Sequence, residues 1–390
     1  MAKTREERSA ERRAKAEASG SIFAALSEGS RRARTMSEVE SFRAVRTGIT
    51  SFNRASAIGG APLSCVWVVH GPSHGGKTTF LVDLICSFQR IGGVACMIDV
   101  EQAANTRGWL DQLGVDLERC LYVGRTRPEE AVEPLTYEEV VEEVRRVRRR
   151  FRDLRVEKRV PWGTPLLIVV DSVSKMVPSG FLERLEKDGN LRSGVGREQA
   201  NLNAAWMLEV GAEIGSDDVI VALVAHEYEK ATASSWVGGY KVRGGDAMIY
   251  DSMMVVRSVF AGQVYDAASD GAPAVGKRHR LKITKNKHGP PFREACFYTA
   301  SGDGEVSAGF DRGREAVTEA LVRGVMEGPD PSKRGFSLTL GTKLKWGRRA
   351  LTLKQVLRDG SLVEELRESL DGSAREENRK VVGKGGGDGE

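Results

Sequence analysis

One stretch of the chain combines residue types and spacing that can do chemistry: Gly71-Pro72-Ser73-His74-Gly75-Gly76-Lys77-Thr78-Thr79. The apolar run Val66-Trp67-Val68-Val69 leads into it, and Phe80-Leu81-Val82-Asp83-Leu84-Ile85 leaves it with a helical pattern. Strand, glycine-rich loop, Lys, Thr and helix, in that order, make a P-loop. The backbone N–H groups of such a loop and of the following helix start cradle anions. Lys77 can reach the β- and γ-phosphates, and the Thr78 hydroxyl can hold Mg²⁺. Side chains at Gly71 and Gly76 would hinder close approach of the backbone to a phosphate. The stretch implies a bound nucleoside triphosphate; the alternative is a glycine-rich turn that binds nothing.

Three more apolar runs end in reactive residues. Val94-Ala95-Cys96-Met97-Ile98-Asp99-Val100 ends in Glu101, Leu166-Leu167-Ile168-Val169-Val170 in Asp171, and Val219 to Ala225 in His226. In an open parallel sheet, ligands bind at the carboxyl ends of the strands. Asp171 is expected to hold Mg²⁺ together with Thr78. Glu101 is placed to orient and deprotonate an attacking water, and His226 to sense a γ-phosphate and pass that state to the segment after it. The alternatives are a helix cap or turn residue for either acid, and a core histidine for His226.

Positioning these groups requires apolar strands alternating with helices, the signature of an α/β fold with a mostly parallel sheet. Runs this apolar must be buried on both faces. Residues 137–155 read as an amphipathic helix, with Val140, Val144, Val147, Phe151 and Leu154 on one face and an acidic-then-basic solvated face opposite. Residues 178–199 and 231–245 are polar and glycine-containing and read as long loops. Further strands are expected at 253–256 and 280–284, and mostly helical structure beyond Gly304, closing with a helical pair over 351–370.

The chain of 390 residues is 40% hydrophobic and 29% charged, enough for one large domain plus smaller parts. Its net charge of +5 is compatible with a polyanionic partner without requiring one. The five cysteines form no metal-type pair and read as buried thiols. With no apolar run near the length of a membrane span and no leader pattern, a cytoplasmic protein without a membrane partner is expected. The organisation expected is a basic N-terminal arm at 1–44, a core at 45–304 with two loops, a small C-terminal α+β domain at 305–371, and a polar tail at 372–390. Ser21-Ile22-Phe23-Ala24-Ala25-Leu26 is an apolar island in the arm, able to dock on a neighbouring subunit or on its own domain.

From about Thr47 to about Leu370 the sequence resembles the RecA-type homologous recombinases, and its divergence from the bacterial housekeeping form points to the phage branch (UvsX-like). The residues that carry the resemblance are the P-loop, Met97 to Glu101, Gln112 to Leu117, Val169 to Val173, Gly244-Gly245-Asp246-Ala247, and Lys285-Asn286-Lys287 with Pro291-Phe292. The resemblance implies a RecA-like P-loop ATPase core that uses ATP and Mg²⁺. It also implies filaments on single-stranded DNA that pair with a homologous duplex, with single-strand-binding and mediator proteins as further partners. The segment with Arg192 and Arg197 matches the family's first DNA-binding loop. Ala231 to Gly245 matches the second, with Trp236, Lys241, Arg243, Gly244 and Gly245. Glu101 matches the catalytic glutamate, and Lys285 and Lys287 match a lysine pair that reaches a neighbouring subunit's ATP. Independently of the family, Trp236 and Tyr240 offer faces for stacking on bases, and Lys241 and Arg243 suit phosphates. The departures are His226 in place of the usual Gln, Gly108-Trp109 where an adenine-stacking Tyr is expected, and lysines within the tail. Two rivals remain: a helicase-like or clock-type ring ATPase on the same core, and a mediator that binds without hydrolysis.

Overall fold

The apolar runs pair edge to edge in the computed structural model, which describes residues 43–371 apart from 102–106, 125–134, 189–194, 216, 230–239, 268–270 and 334–335, together with Ile22 and Leu26. The two residues described in the N-terminal unit are helical and exposed. Phe23, the rest of the arm up to residue 42 and the tail at 372–390 lie outside the described residues.

The core opens with β1 (Ala44–Val45), α1 (Thr50–Ala55) and β2 (Ala61–Pro62), which precede the P-loop strand β3 (Cys65–Gly71) and its helix α2 (Lys77–Arg90). Next come β4 (Val94–Asp99), α3 (Arg107–Gln112), β5 (Cys120–Val123), α4 (Tyr137–Val156) and β6 (Leu166–Asp171). They are followed by α5 (Ser179–Asp188), α6 (Val195–Glu213), β7 (Val219–Glu229), β8 (Tyr240–Val242) and α7 (Ala247–Asp251). Three long antiparallel partners complete the sheet's flank: β9 (Met254–Tyr265), β10 (Ala274–Asn286) and β11 (Glu294–Ala300), with the short β12 (Gly309–Phe310) at the edge.

The sheet order is β12-β11-β10-β9-β3-β7-β6-β4-β5, with β8 pairing β7 off this path. Every pairing from β5 to β9 is parallel, and β10, β11 and β12 continue antiparallel. Each residue of β3 and β6 is buried, as two-faced burial of a parallel strand demands. On one face Trp67, Val69, Val169 and Val224 pack on Phe80, Leu81 and Leu84 of α2. On the other, Val66, Val68, Val170 and Ala225 pack on Val140 and Val144 of α4 and Trp206 of α6. Among the described residues no helix is long and apolar enough to cross a membrane.

The structure corrects four sequence expectations. Residues 178–199 are not a long loop: α5 and the first turn of α6 occupy most of them. Phe181, Leu182 and Leu185 recur at helical spacing there, and Gln199 fixes α6 by donating to the Val173 and Met176 carbonyls at 2.7 and 3.0 Å. The basic stripe of α4 is not simply solvated, because Arg145 grips Glu209 at 2.6 and 2.5 Å, Arg148 grips Glu213 at 2.6 Å, and Arg152 pairs with Asp217. Strand β7 does not stop at His226 but runs to Glu229, held by antiparallel β8. Beyond Gly304 the chain is helical only in part. After α8 (Arg312–Val322) comes a hairpin of β13 (Lys343–Trp346) and β14 (Arg349–Thr352) before α9 (Leu353–Arg358) and a last helix over 360–371. This region has its own apolar cluster, including Val317, Leu321, Leu344, Leu353 and Leu366. α8 is clasped to the core through Arg312 on Asp83 and Glu319 on Arg54.

Candidate functional site

Gly71 closes β3 with a left-handed φ of 152°, and a Cβ there would fall on the Ser258 carbonyl oxygen of β9. Gly76 takes φ 85° as the residue before α2, and no side chain caps that helix. The first N–H groups of α2 therefore remain available to an anion. Lys77 folds back on the loop, its Nζ donating to the Pro72 carbonyl at 2.8 Å and the Gly71 carbonyl at 3.3 Å. Burial lowers its pKa, opposed by Asp171, Glu101 and Glu227. Pro72, Ser73 and His74 form the exposed crown of the loop.

Parallel register brings the other strand ends to the same edge. Asp99 of β4 pairs across to Asp171 of β6, and Gly71 of β3 to His226 of β7. The Thr78 hydroxyl donates to Asp171 Oδ2 at 2.5 Å. Burial raises Asp171 to about 6; Thr78 opposes that rise, and Glu101 and Asp99 add to it. What the site offers a divalent cation is one buried carboxylate with a hydroxyl beside it; among the described residues no cluster of three acids, histidines or cysteines could hold one.

Glu101 is held from two sides. The Ser172 hydroxyl donates to its Oε1 at 2.6 Å, and His226 Nε2 donates to the same oxygen at 2.6 Å. The His226 bond is the main reason its pKa falls to about 2, against the upward push of burial. The chain thus joins Thr78 to Asp171 and Glu101 to His226, side by side.

Beside the loop lies a cavity of about 540 Å³. His74, Gly75, Gly76, Lys77, Thr78 and Thr79 line one wall, Trp109 and Gln112 of α3 another, and Lys277, His279 and Ser301 of the antiparallel flank a third. Trp109, which stands where a stacking Tyr was expected, is therefore a wall of this cavity. The volume falls in the range of small-molecule sites.

The residues matched to DNA-binding loops are partly outside the described chain, Arg192 and Trp236 among them. Arg197 is exposed on the first turn of α6, and Lys241 and Arg243 are exposed on and just after β8. The Arg243 N–H donates to the His226 carbonyl at 2.8 Å, so this stem hangs on the P-loop edge of the sheet. Gly244 and Gly245 pack on α6: the Asn203 amide donates to the Gly244 carbonyl at 2.7 Å, and a Cβ on Gly245 would meet Ala200 Cβ at 2.9 Å. Close packing and a left-handed φ of 96° both call for glycine at 245. Tyr240 does not present two free faces, because the Arg257 guanidinium covers one at 4.3 Å.

Lys285 and Lys287 are not brought to this chain's own P-loop. Lys285 pairs with Val255 near the start of β9, level with Val68 in the middle of β3, and its Nζ donates to the Ile249 and Tyr250 carbonyls at 2.9 and 2.5 Å.

Sequence reasoning missed a second charged group. His70, one residue before the loop, donates from Nδ1 to Glu227 Oε2 at 3.1 Å, and Arg257 grips Glu227 with bonds of 2.9 and 2.6 Å. Its members come from three strands, and only a charged residue inside an apolar run could have flagged each.

Comparison with known proteins adds an independent line. Residues 18–143 match the model of the RecA N-terminal domain. The chain is 26% identical to Protein RecA of Chlorobaculum parvum over 345 residues, 87% of each chain. It is 28% identical to Protein RecA of Thermus thermophilus over 328 residues, 83% of each chain. It is 27% identical to Protein RecA of Chlorobium limicola over 323 residues, 83% of this chain and 80% of that one. Together with the mostly parallel sheet and its P-loop, these similarities make the core RecA-like.

Proposed function

We propose that the chain is an ATP-dependent DNA strand-exchange recombinase of the phage branch, which forms helical filaments on single-stranded DNA and pairs that strand with a homologous duplex. The observation that carries the proposal is the meeting, at one sheet edge, of the P-loop, the Thr78–Asp171 contact and the Glu101–His226 contact. Similarity to RecA proteins over four-fifths of the chain supports it, and identities of 26–28% to those bacterial relatives suit a diverged branch.

In this reading the loop N–H groups and Lys77 hold the phosphates of ATP, and Trp109 gives the base a stacking face. Thr78 and Asp171 would hold Mg²⁺, which when bound offsets the charge of the phosphates. Glu101 orients the attacking water and accepts its proton. A carboxylate pinned near 2 is a poor base, so its full strength requires that His226 leave it. His226 does so by turning to the γ-phosphate, and its carbonyl, bonded to the Arg243 N–H, carries the shift into the 231–245 stem. Arg192, Arg197, Trp236, Lys241 and Arg243 line the DNA, whose affinity falls steeply with salt. Lys285 and Lys287, away from this chain's own P-loop, act on a neighbour's nucleotide in a heterologous, propagating interface.

The test is ATP hydrolysis by the full chain with and without single-stranded DNA, alongside Glu101→Ala, with negative-stain images of the same samples. Filaments and DNA-stimulated turnover lost in Glu101→Ala are expected. Closed rings would overturn the filament in favour of a helicase-like ATPase, and filaments without turnover would leave a non-hydrolysing mediator.

A further inference from the structure

The direction of one peptide group in the P-loop is set by two side chains that belong to neither the loop nor its helix. The Gly75 carbonyl accepts the Ser258 hydroxyl at 2.7 Å and lies 3.2 Å from His279 Nδ1. A carbonyl only accepts, so Nδ1 must carry the proton, and in the neutral ring Nε2 is left as an acceptor. The ring is neutral at ordinary pH, because burial holds His279 down at about 4. Its orientation is locked as well: it stacks on Phe297 with centroids 4.8 Å apart, and Phe260 meets it edge-on at 6.2 Å. Ser258 of β9 is fully buried and His279 of β10 nearly so.

A trans peptide points its C=O and the next N–H in opposite directions. With the Gly75 oxygen drawn toward β9 and β10, the Gly76 N–H is turned away from that flank. Gly76 itself rests on the imidazole, since a Cβ there would come within 2.5 Å of His279 Nδ1. The same ring borders the 540 Å³ cavity. We propose that Ser258 and His279 are positioning residues of the nucleotide site: they hold the Gly75–Gly76 peptide in its binding orientation before a ligand arrives. The inference rests on the nucleotide-binding reading above. Its physical basis is pre-organisation, since a peptide already aligned loses no freedom when phosphate binds.

The experiment titrates the full chain, with Mg²⁺, against a fluorescent non-hydrolysable ATP analogue, comparing wild type with His279→Ala, His279→Asn and Ser258→Ala. Loss of one donor is expected to weaken binding about tenfold in His279→Ala and a few-fold in Ser258→Ala. The amide N–H of His279→Asn can reach the same carbonyl and should restore affinity to within about twofold of wild type. In steady-state hydrolysis the loss should fall on KM and not on kcat. Unchanged affinity in His279→Ala overturns the inference, as does an Asn variant as weak as Ala, which would make the ring mere packing. If His279→Ala fails to fold, the Asn and Ser258 variants decide. A wild type that binds no analogue overturns the nucleotide reading itself, and this inference with it.

Discussion

Two His–Glu pairs sit one residue apart along β7, on opposite faces of the sheet. Val224 packs with α2 and Ala225 with α4 and α6, so by strand alternation His226 continues the first face and Glu227 the second. The His226–Glu101 pair spans 2.6 Å with about a quarter of each side chain exposed. The His70–Glu227 pair spans 3.1 Å, and only 2% of the Glu227 side chain meets solvent. Both carboxylates sit at about 2, but for different reasons. Glu101 is lowered chiefly by its His226 bond, whereas for Glu227 the largest single influence is burial, which raises it and which His70 and Arg257 together outweigh. Arg257 bonds both oxygens of Glu227, and its other face is closed by Tyr240. Among the described residues, one pair is therefore held by a hydroxyl and an imidazole at an accessible edge, where an anion from solvent can compete. The other is saturated and serves as scaffold beneath the P-loop.

The largest effects should separate the two pairs. Glu101→Gln keeps the shape and the Ser172 bond but removes the proposed base, and is expected to lower DNA-stimulated hydrolysis by roughly 10²–10⁴. Nucleotide affinity should stay close to wild type, with a loss of stability well below that of Arg257→Met because the Glu101–His226 pair is partly exposed; a drop in melting temperature as large as that variant's would mean that Glu101 is scaffold too. Arg257→Met should do the reverse. It leaves a buried carboxylate with only His70, at a cost of about 3–5 kcal/mol in urea unfolding. Glu227→Gln combined with Arg257→Met should recover most of that loss, because a neutral buried pair has no charge to strand. If the double variant is as unstable as the single, packing rather than charge holds this corner.

How much of this was legible in the sequence follows the range of each interaction. The P-loop and the strand ends at Glu101 and Asp171 are local patterns, and parallel register then aligns them without further information. The helix at 179–188 was hidden by counting Gly180 and Gly189 as loop signals ahead of the Phe181, Leu182, Leu185 spacing. The ladder from α4 to α6 and the turn after it needed both sides at once: Arg145, Arg148 and Arg152 recur at helical spacing, opposite Glu209 and Glu213 on α6 and Asp217 just beyond it. The clamp on Gly75 joins residues 183 and 204 positions apart, and His70 lies 157 positions from Glu227. No local pattern encodes such partners. The absence of Tyr near 108 looked like a gap in base binding, yet Trp109 reaches the cavity from the same turn of chain.

A smaller, pH-dependent effect sharpens the contrast between paired and unpaired acids. Glu101 and Glu227, both lowered, stabilise the fold fully above their ordinary range, and that stability is lost as pH falls from about 4.5 toward 2. Glu315 has the opposite sign. Burial raises it to about 7; one oxygen accepts the Ser51 N–H at 2.9 Å, and among the described residues Oε2 has no hydrogen-bond partner. Ionising it costs the folded state, so its contribution falls as pH rises from about 4.5 through 7. The nucleotide-free protein should therefore be less stable at pH 8 than at pH 5.5, by about 1–3 kcal/mol from this group. Glu315→Gln should flatten that decline in melting temperature; an unchanged slope would assign it elsewhere.

The smallest expected effect asks to which region Tyr240 belongs. It begins the strand that returns from the 230–239 segment, and its ring lies over Arg257 while about half of it remains exposed. If it belongs to the scaffold, Tyr240→Leu removes a cation–π contact and costs about 0.5–1 kcal/mol of stability, while Tyr240→Phe costs almost nothing. Affinity for single-stranded DNA would then change little in either variant. If its open face stacks on a base, Tyr240→Leu should instead weaken DNA binding by about 1–3 kcal/mol, with Phe again close to wild type. The geometry favours the first outcome, because the guanidinium fixes the ring against β9 instead of leaving it to follow a strand of DNA. Paired measurements of unfolding and DNA affinity on the same two variants decide between them, and a loss confined to DNA affinity would move Tyr240 from the static pair to the working edge.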